Sequence, residues 1–170
     1  MSEEEVQKIT AAFLSETQEN PVNIILTAVL MGFTNSLWKV SGEGSGGITR
    51  AFGEDLWDLI KAGSVMLGEE KDTSTPEKAL EFYAEYLGGY FNIADEISYN
   101  LGEDSLNVSI KGCKLHHFTD YLEAKDVPRS IGCPMALSLI SLMEDVTGES
   151  YIIDELKSTD SNSEIVLKAL

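Results

Sequence analysis

Ile97-Ser98-Tyr99-Asn100-Leu101-Gly102-Glu103-Asp104-Ser105-Leu106-Asn107-Val108-Ser109-Ile110 decides the fold class. Ile97, Tyr99 and Leu101 alternate with polar neighbours, Gly102-Glu103-Asp104 turns the chain, and Leu106, Val108 and Ile110 alternate again. Period-two alternation on both sides of a glycine turn is the pattern of a β-hairpin with one buried face. Tyr151 to Leu156 and Glu164 to Leu167, around Asp160-Ser161-Asn162-Ser163, read as a second, terminal hairpin.

Upstream of Tyr90 the period is helical. Ser2 and Glu5 form a capping box ahead of Val6, Ile9, Phe13 and Leu14, which predicts a helix over about 3 to 17. Asn20-Pro21 opens a second, reaching about Val40 and apolar nearly all round at first, the mark of a central buried element. The glycine-rich Ser41 to Gly47 breaks it and reads as an interhelical linker; without a strand before it or a Gly-Lys-Ser/Thr ending it is no phosphate loop. Ile48, Phe52, Leu56, Ile60 and Val65 give the apolar face of a third helix. Thr75-Pro76-Glu77 caps a fourth that carries Ala79, Phe82, Tyr83, Tyr86 and Leu87 and ends at Gly88-Gly89. Between the hairpins lie a short helix, about Lys114 to Ala124, and a stronger one from Cys133-Pro134 to Gly148.

The expected fold is therefore α+β, with N-terminal helices packed on an antiparallel sheet formed by two hairpins. No repeat or low-complexity linker divides the chain, so residues 1–170 are expected to form a single domain. The composition, 43% hydrophobic and 24% charged, is that of a chain that folds. The net charge of −17 argues against nucleic acid and against anionic membrane surfaces as partners. An acidic N-terminus and an apolar run, Ile24 to Phe33, too short to span a bilayer point to a cytoplasmic protein.

Cys113, His116, His117 and Cys133 carry the most chemistry. A thiolate followed by imidazoles three and four residues on is a usable zinc pair, and Cys133 opens a helix whose dipole favours a thiolate. The same residues also read as two buried thiols beside part-exposed histidines, or as a Cys/His nucleophilic pair that lacks an orienting partner. The aromatic residues Phe33, Trp38, Phe52, Trp57, Phe82 and Tyr83 crowd the helical half, where they read either as the lining of an apolar pocket or as ordinary core.

Gly112-Cys113, Gly132-Cys133-Pro134-Met135 before an apolar helix, Thr147-Gly148 and the ending Val166-Leu167-Lys168 resemble the vinyl-reductase-type, hydrocarbon-binding domain and its archaeal relatives over about residues 21 to 170. The resemblance implies a fold shared with the tethering subunits of the Golgi transport complex and with nitric oxide sensor domains, enclosing an apolar ligand pocket. It implies a structural zinc beside that pocket held by Cys113 and Cys133. Many relatives place a further cysteine in the last hairpin, where this chain has Ser163 or Glu164, so His116 or His117 would have to complete the set.

The reading that follows is a small-molecule-binding or sensor domain for an apolar or aromatic ligand. Phe33, Trp38, Phe52, Trp57, Phe82 and Tyr83 are its expected contacts, Cys113, His117 and Cys133 its zinc ligands, and a homodimer its expected state. The alternatives are a purely structural homodimerising module and a reductase-like enzyme acting on a vinyl-bearing or tetrapyrrole substrate. The chain shows no dinucleotide fingerprint for the latter.

Overall fold

The computed structural model describes residues 7–8, 11, 21–66, 68 and 71–170. Of the first expected helix, Gln7, Lys8 and Ala11 are helical and the remainder lies outside the described residues. Two long helices come next: α1 (Pro21–Ser41) and α2 (Gly46–Met66), joined by a 3-10 turn at Gly42–Ser45. The glycine linker is thus wound rather than extended. Gly42 takes φ +53°, which a glycine adopts without strain, and Ser45 Oγ donates to the Gly42 carbonyl at 2.7 Å.

α3 (Pro76–Ala84) begins as its sequence dictates, with Pro76 in the first turn and Thr75 Oγ1 accepting from the Lys78 amide at 3.4 Å. It runs on through Gly88-Gly89 as a π-helical turn, Glu85–Tyr90. The first hairpin is β1 (Glu96–Leu101) and β2 (Ser105–Lys111). Then come α4 (His116–Glu123), the single turn α5 (Arg129–Gly132), α6 (Pro134–Thr147), and the second hairpin, β3 (Tyr151–Thr159) and β4 (Asn162–Ala169). Gly148, at φ +73°, ends α6 in the left-handed conformation and returns its N–H to Glu144 O.

The hairpins join through β2 and β4 into one antiparallel sheet of order β1-β2-β4-β3. Register aligns the inner residues in rows: Leu101, Leu106, Leu167 and Ile153 in one, and Tyr99, Val108, Ile165 and Leu156 in the next. On β3 the inward residues Tyr151, Ile153 and Leu156 break strict alternation, and a bulge between Ile153 and Glu155 supplies the missing phase shift.

α3 and α6 cover the inner face. Leu80, Tyr83, Leu139, Leu142 and Met143 pack in one core with Leu106, Val108, Ile110, Ile165 and Leu167. Burying such side chains is worth roughly 1.5–3 kcal/mol each. α2 lies on α6 from outside, using Thr49, Gly53, Trp57, Ile60 and Ser64. That face is turned from the expected one: Ile48, Phe52 and Val65 are exposed, because small residues allow the closer helix approach. α1 corrects a second expectation, since it is peripheral and not central. It packs on α4, burying Met31 with Phe118, Leu122 and Val127, while Ile25, Leu26, Val29 and Phe33 face outward. Hydrophobicity on all sides fits a buried helix and equally one that awaits a partner. No helix among the described residues is long and apolar enough to cross a membrane.

Candidate functional site

The two cysteines come together from distant segments. Cys113 follows β2, held by its amide on Ser161 O at 2.7 Å, while Lys114 N donates to Ile93 O at 2.8 Å. Cys133 sits at the start of α6, where Pro134 occupies the first turn and no side chain caps the helix. Both thiols are buried and neither forms a disulfide. Burial pushes the Cys133 thiol up to about 11, helped by neighbouring Cys113 and opposed by the amides of Ala136 and Met135 and by Arg129. Burial likewise raises Cys113, against the Leu115 amide. The helix dipole expected to favour a Cys133 thiolate is therefore outweighed by loss of solvent.

Beside them Tyr83 is wholly buried, its Oη 2.8 Å from Ser138 Oγ and donating to Met135 O at 3.2 Å. Burial raises this phenol far above its ordinary value, and both cysteines add to the shift. The centre is a protonated, apolar-walled cluster and not a nucleophile with a base. His116 turns from it, its Nδ1 2.7 Å from the Cys113 carbonyl and not engaged with the thiol.

His117 falls in a different group. One ligand atom each from His116, His117 and Asp120 lie within 4.8 Å of one another on α4. The structure thus places His117 with His116 and Asp120, and Cys133 with Cys113 and Tyr83. Asp120 was not singled out in the sequence, although its spacing of four from His116 puts the two on one helix face. Glu164 lies on the exposed outer face of β4, accepting from Ser109 Oγ at 2.7 Å.

The six aromatic residues divide as well. Trp57, Phe82 and Tyr83 form a packed row, Trp57 lying 6.0 Å from Phe82 and 6.4 Å from Tyr83 between ring centres. Trp57 Nε1 donates to Asp145 Oδ2 at 2.8 Å. Trp38 is half-buried against the α1–α4 cluster. Phe33 and Phe52 instead line an apolar cavity of about 50 Å³ between α1, α2, Phe118, Ile131 and Leu137. A second hollow of about 180 Å³ shares Thr49, Ile131 and Leu137 as its wall and extends toward Arg50 and Tyr151. The first is a groove between α1 and α2, and the second adjoins it on the side of α6 and β3.

A four-stranded antiparallel sheet backed by α3 and α6, with α2 laid on α6 and α1 on α4, defines an α+β domain. A solved structure with this architecture is that of a trafficking protein particle complex subunit 3 from Naegleria fowleri covalently bound to palmitic acid. It aligns over 86% of this chain and 93% of its own, with a TM-score of 0.53 at 11% identity. The fold relation to tethering subunits expected from the sequence is therefore present. By sequence the chain belongs to the family described as "Putative rubredoxin C-terminal domain", which it matches over residues 23–170. A "Putative rubredoxin" of Methanothermobacter thermautotrophicus is 30% identical over 138 residues, 81% of this chain and 66% of the relative's length.

Rubredoxin-type iron asks for a tetrahedral set of four thiolates. This sequence has two cysteines, Cys113 and Cys133, half of that set. The residues here do not fit that group.

Proposed function

We propose that the protein is a binding domain that works as a homodimer, two copies closing the outer faces of α1 and α2 on one another. The observation that carries this is α1 itself. From Pro21 to Trp38 the chain has no Asp, Glu, Lys or Arg, although 41 of its residues are acidic or basic (29 and 12). Yet Ile25, Leu26, Val29 and Phe33 of that stretch are each 60–64% exposed. Leu59 and Ile48 of α2 add to the apolar surface. A chain of net charge −17 repels its own copy, so a self-contact has to be made where charge is absent and apolar burial is large.

Sedimentation at tens of micromolar tests the reading. A species of twice 18.6 kDa is expected, reduced to monomer by the double substitution Val29→Glu and Phe33→Glu. A wild-type monomer, or a double variant that still dimerises, overturns it.

A second reading is favoured by the groove. Its Phe33 and Phe52 walls are apolar and would be roofed by the partner, which suits a small apolar or aromatic molecule as expected for a hydrocarbon-binding, vinyl-reductase-type domain. The closed part, about 50 Å³, is far below the ~300–1,000 Å³ of ordinary ligand sites. A ligand therefore lies along the groove or widens it. Native mass spectrometry of gently purified protein checks this: a co-purifying apolar mass lost in Phe52→Glu supports it, and a clean apo dimer leaves the interaction role alone.

A further inference from the structure

His116 opens α4, His117 follows, and Asp120 stands one turn on. Their ligand atoms lie within 4.8 Å of one another, and the two imidazole rings are 3.7 Å apart between centres. His116 Nδ1 is 2.7 Å from the Cys113 carbonyl oxygen. A carbonyl only accepts, so Nδ1 carries the proton and the neutral ring keeps its lone pair on Nε2. Metal-ligating histidines are held in this way, the far nitrogen tied to a backbone carbonyl that fixes tautomer and orientation. Asp120 is held too: its Oδ1 accepts from Arg129 Nη2 at 2.6 Å. Arg129 is itself anchored on Glu123 Oε2 and Thr119 Oγ1, at 2.9 Å from Nε and 3.0 Å from Nη1. One carboxylate oxygen of Asp120 is the third ligand atom of the group.

We propose that His116, His117 and Asp120 bind one divalent cation of the borderline class, such as zinc, cobalt(II) or nickel(II). Two imidazoles and a carboxylate are the donors these ions accept, whereas a four-thiolate site selects otherwise. Ligand atoms about 2.0–2.2 Å from an ion stand roughly 3–4 Å from each other, so modest side-chain rotation closes the present spacing onto one ion. His116 and Asp120 are half-buried at the surface, so water completes the coordination. Binding would lock the start of α4 to the Cys113 loop through His116. The site is independent of the dimer contact and does not use either thiol.

The full chain, stripped with chelator, is titrated with cobalt(II) followed by its visible absorption, and with zinc followed by calorimetry. One ion per chain is expected. His117→Gln and Asp120→Asn should each weaken binding by about tenfold or more, while Cys133→Ala binds as wild type. Circular dichroism and melting of every variant without metal separate a lost ligand from a lost fold. Uptake that is unchanged in both His117→Gln and Asp120→Asn overturns the proposal. So does uptake that is lost in Cys133→Ala, or no uptake at millimolar cation.

Discussion

Gly53 of α2 sits directly against the backbone of Leu137 in α6: a β-carbon added there would stand 2.6 Å from the Leu137 carbonyl oxygen and 3.0 Å from Ser141 Oγ. Two helices meet here at backbone distance, which fixes the depth at which α2 seats Trp57 and Ile60. Gly53→Ala forces the helices apart, and overpacking of this kind costs about 1–3 kcal/mol. Gly47, on the same helix with nothing within 4 Å of its added β-carbon, is the control. Gly47→Ala should match or slightly exceed the wild type in urea unfolding, by a few tenths to about 1 kcal/mol, while Gly53→Ala falls below it. Equal midpoints for the two would contradict the close approach.

Cys133 makes stability depend on alkaline pH. Its thiol is raised from 9.0 to about 11 by burial, so between those values the folded chain holds a proton that the unfolded chain has released. Stability is then full below about pH 9 and falls as pH rises toward 11. The loss is roughly 2–3 kcal/mol over that interval for a shift of this size. Cys133→Ala removes the group, so its stability should decline less steeply across pH 9–11. A parallel decline in both proteins would show that other groups, Tyr83 among them, carry the alkaline effect.

Much of this architecture was legible because it rests on local signals. The alternation in Ile97–Leu101 and Leu106–Ile110, the Thr75-Pro76 cap and the Gly148 stop each correspond to an element. The bulge at Asp154 was not legible, since a one-residue phase shift within Tyr151–Thr159 looks like weak alternation until β4 supplies the partner register. The buried face of α2 was hidden for a related reason. Hydrophobic periodicity points to Ile48 and Phe52, whereas the contact with α6 is made by Thr49, Gly53 and Trp57, and small residues carry no hydrophobic signal. At the site, Cys113 and Cys133 were readable both as zinc ligands and as buried thiols; their burial, which the structure shows, depends on α3 and α6 closing over them.

Asp145 joins two side chains of α2 to α6. Its Oδ2 accepts from Trp57 Nε1 at 2.8 Å and from Lys61 Nζ at 2.7 Å, and Lys61, with Trp57, holds the carboxyl below its ordinary value. Asp145→Ala leaves the indole N–H of the buried Trp57 without an acceptor, an expected cost of about 1–3 kcal/mol. Asp145→Asn keeps an acceptor for Trp57 and should recover most of it, because the half-exposed Lys61 pair is screened and worth under about 1 kcal/mol. The depressed carboxyl places this stability above the usual carboxylate range and loses it as pH falls below that. Thermal melts at neutral and acidic pH check both points. Equal destabilisation by Ala and Asn would put the weight on the ion pair instead.

The dimer proposed through α1 and α2 has a salt dependence of definite sign. Each copy carries −17, and the contact residues Ile25, Leu26, Val29 and Phe33 are uncharged. Repulsion between the rest of the two surfaces therefore opposes association. Raising the salt from low to physiological strength shortens the screening length from tens of ångströms to about 8 Å. Dimerisation should tighten as repulsion fades while apolar burial is kept. A contact built from ion pairs would weaken instead. Sedimentation across a salt series distinguishes the two: dissociation that grows with salt would contradict an apolar, charge-free interface. Val29→Glu, which puts like charge at the two-fold contact, should dissociate the dimer most completely at low salt and regain part of it as salt is added.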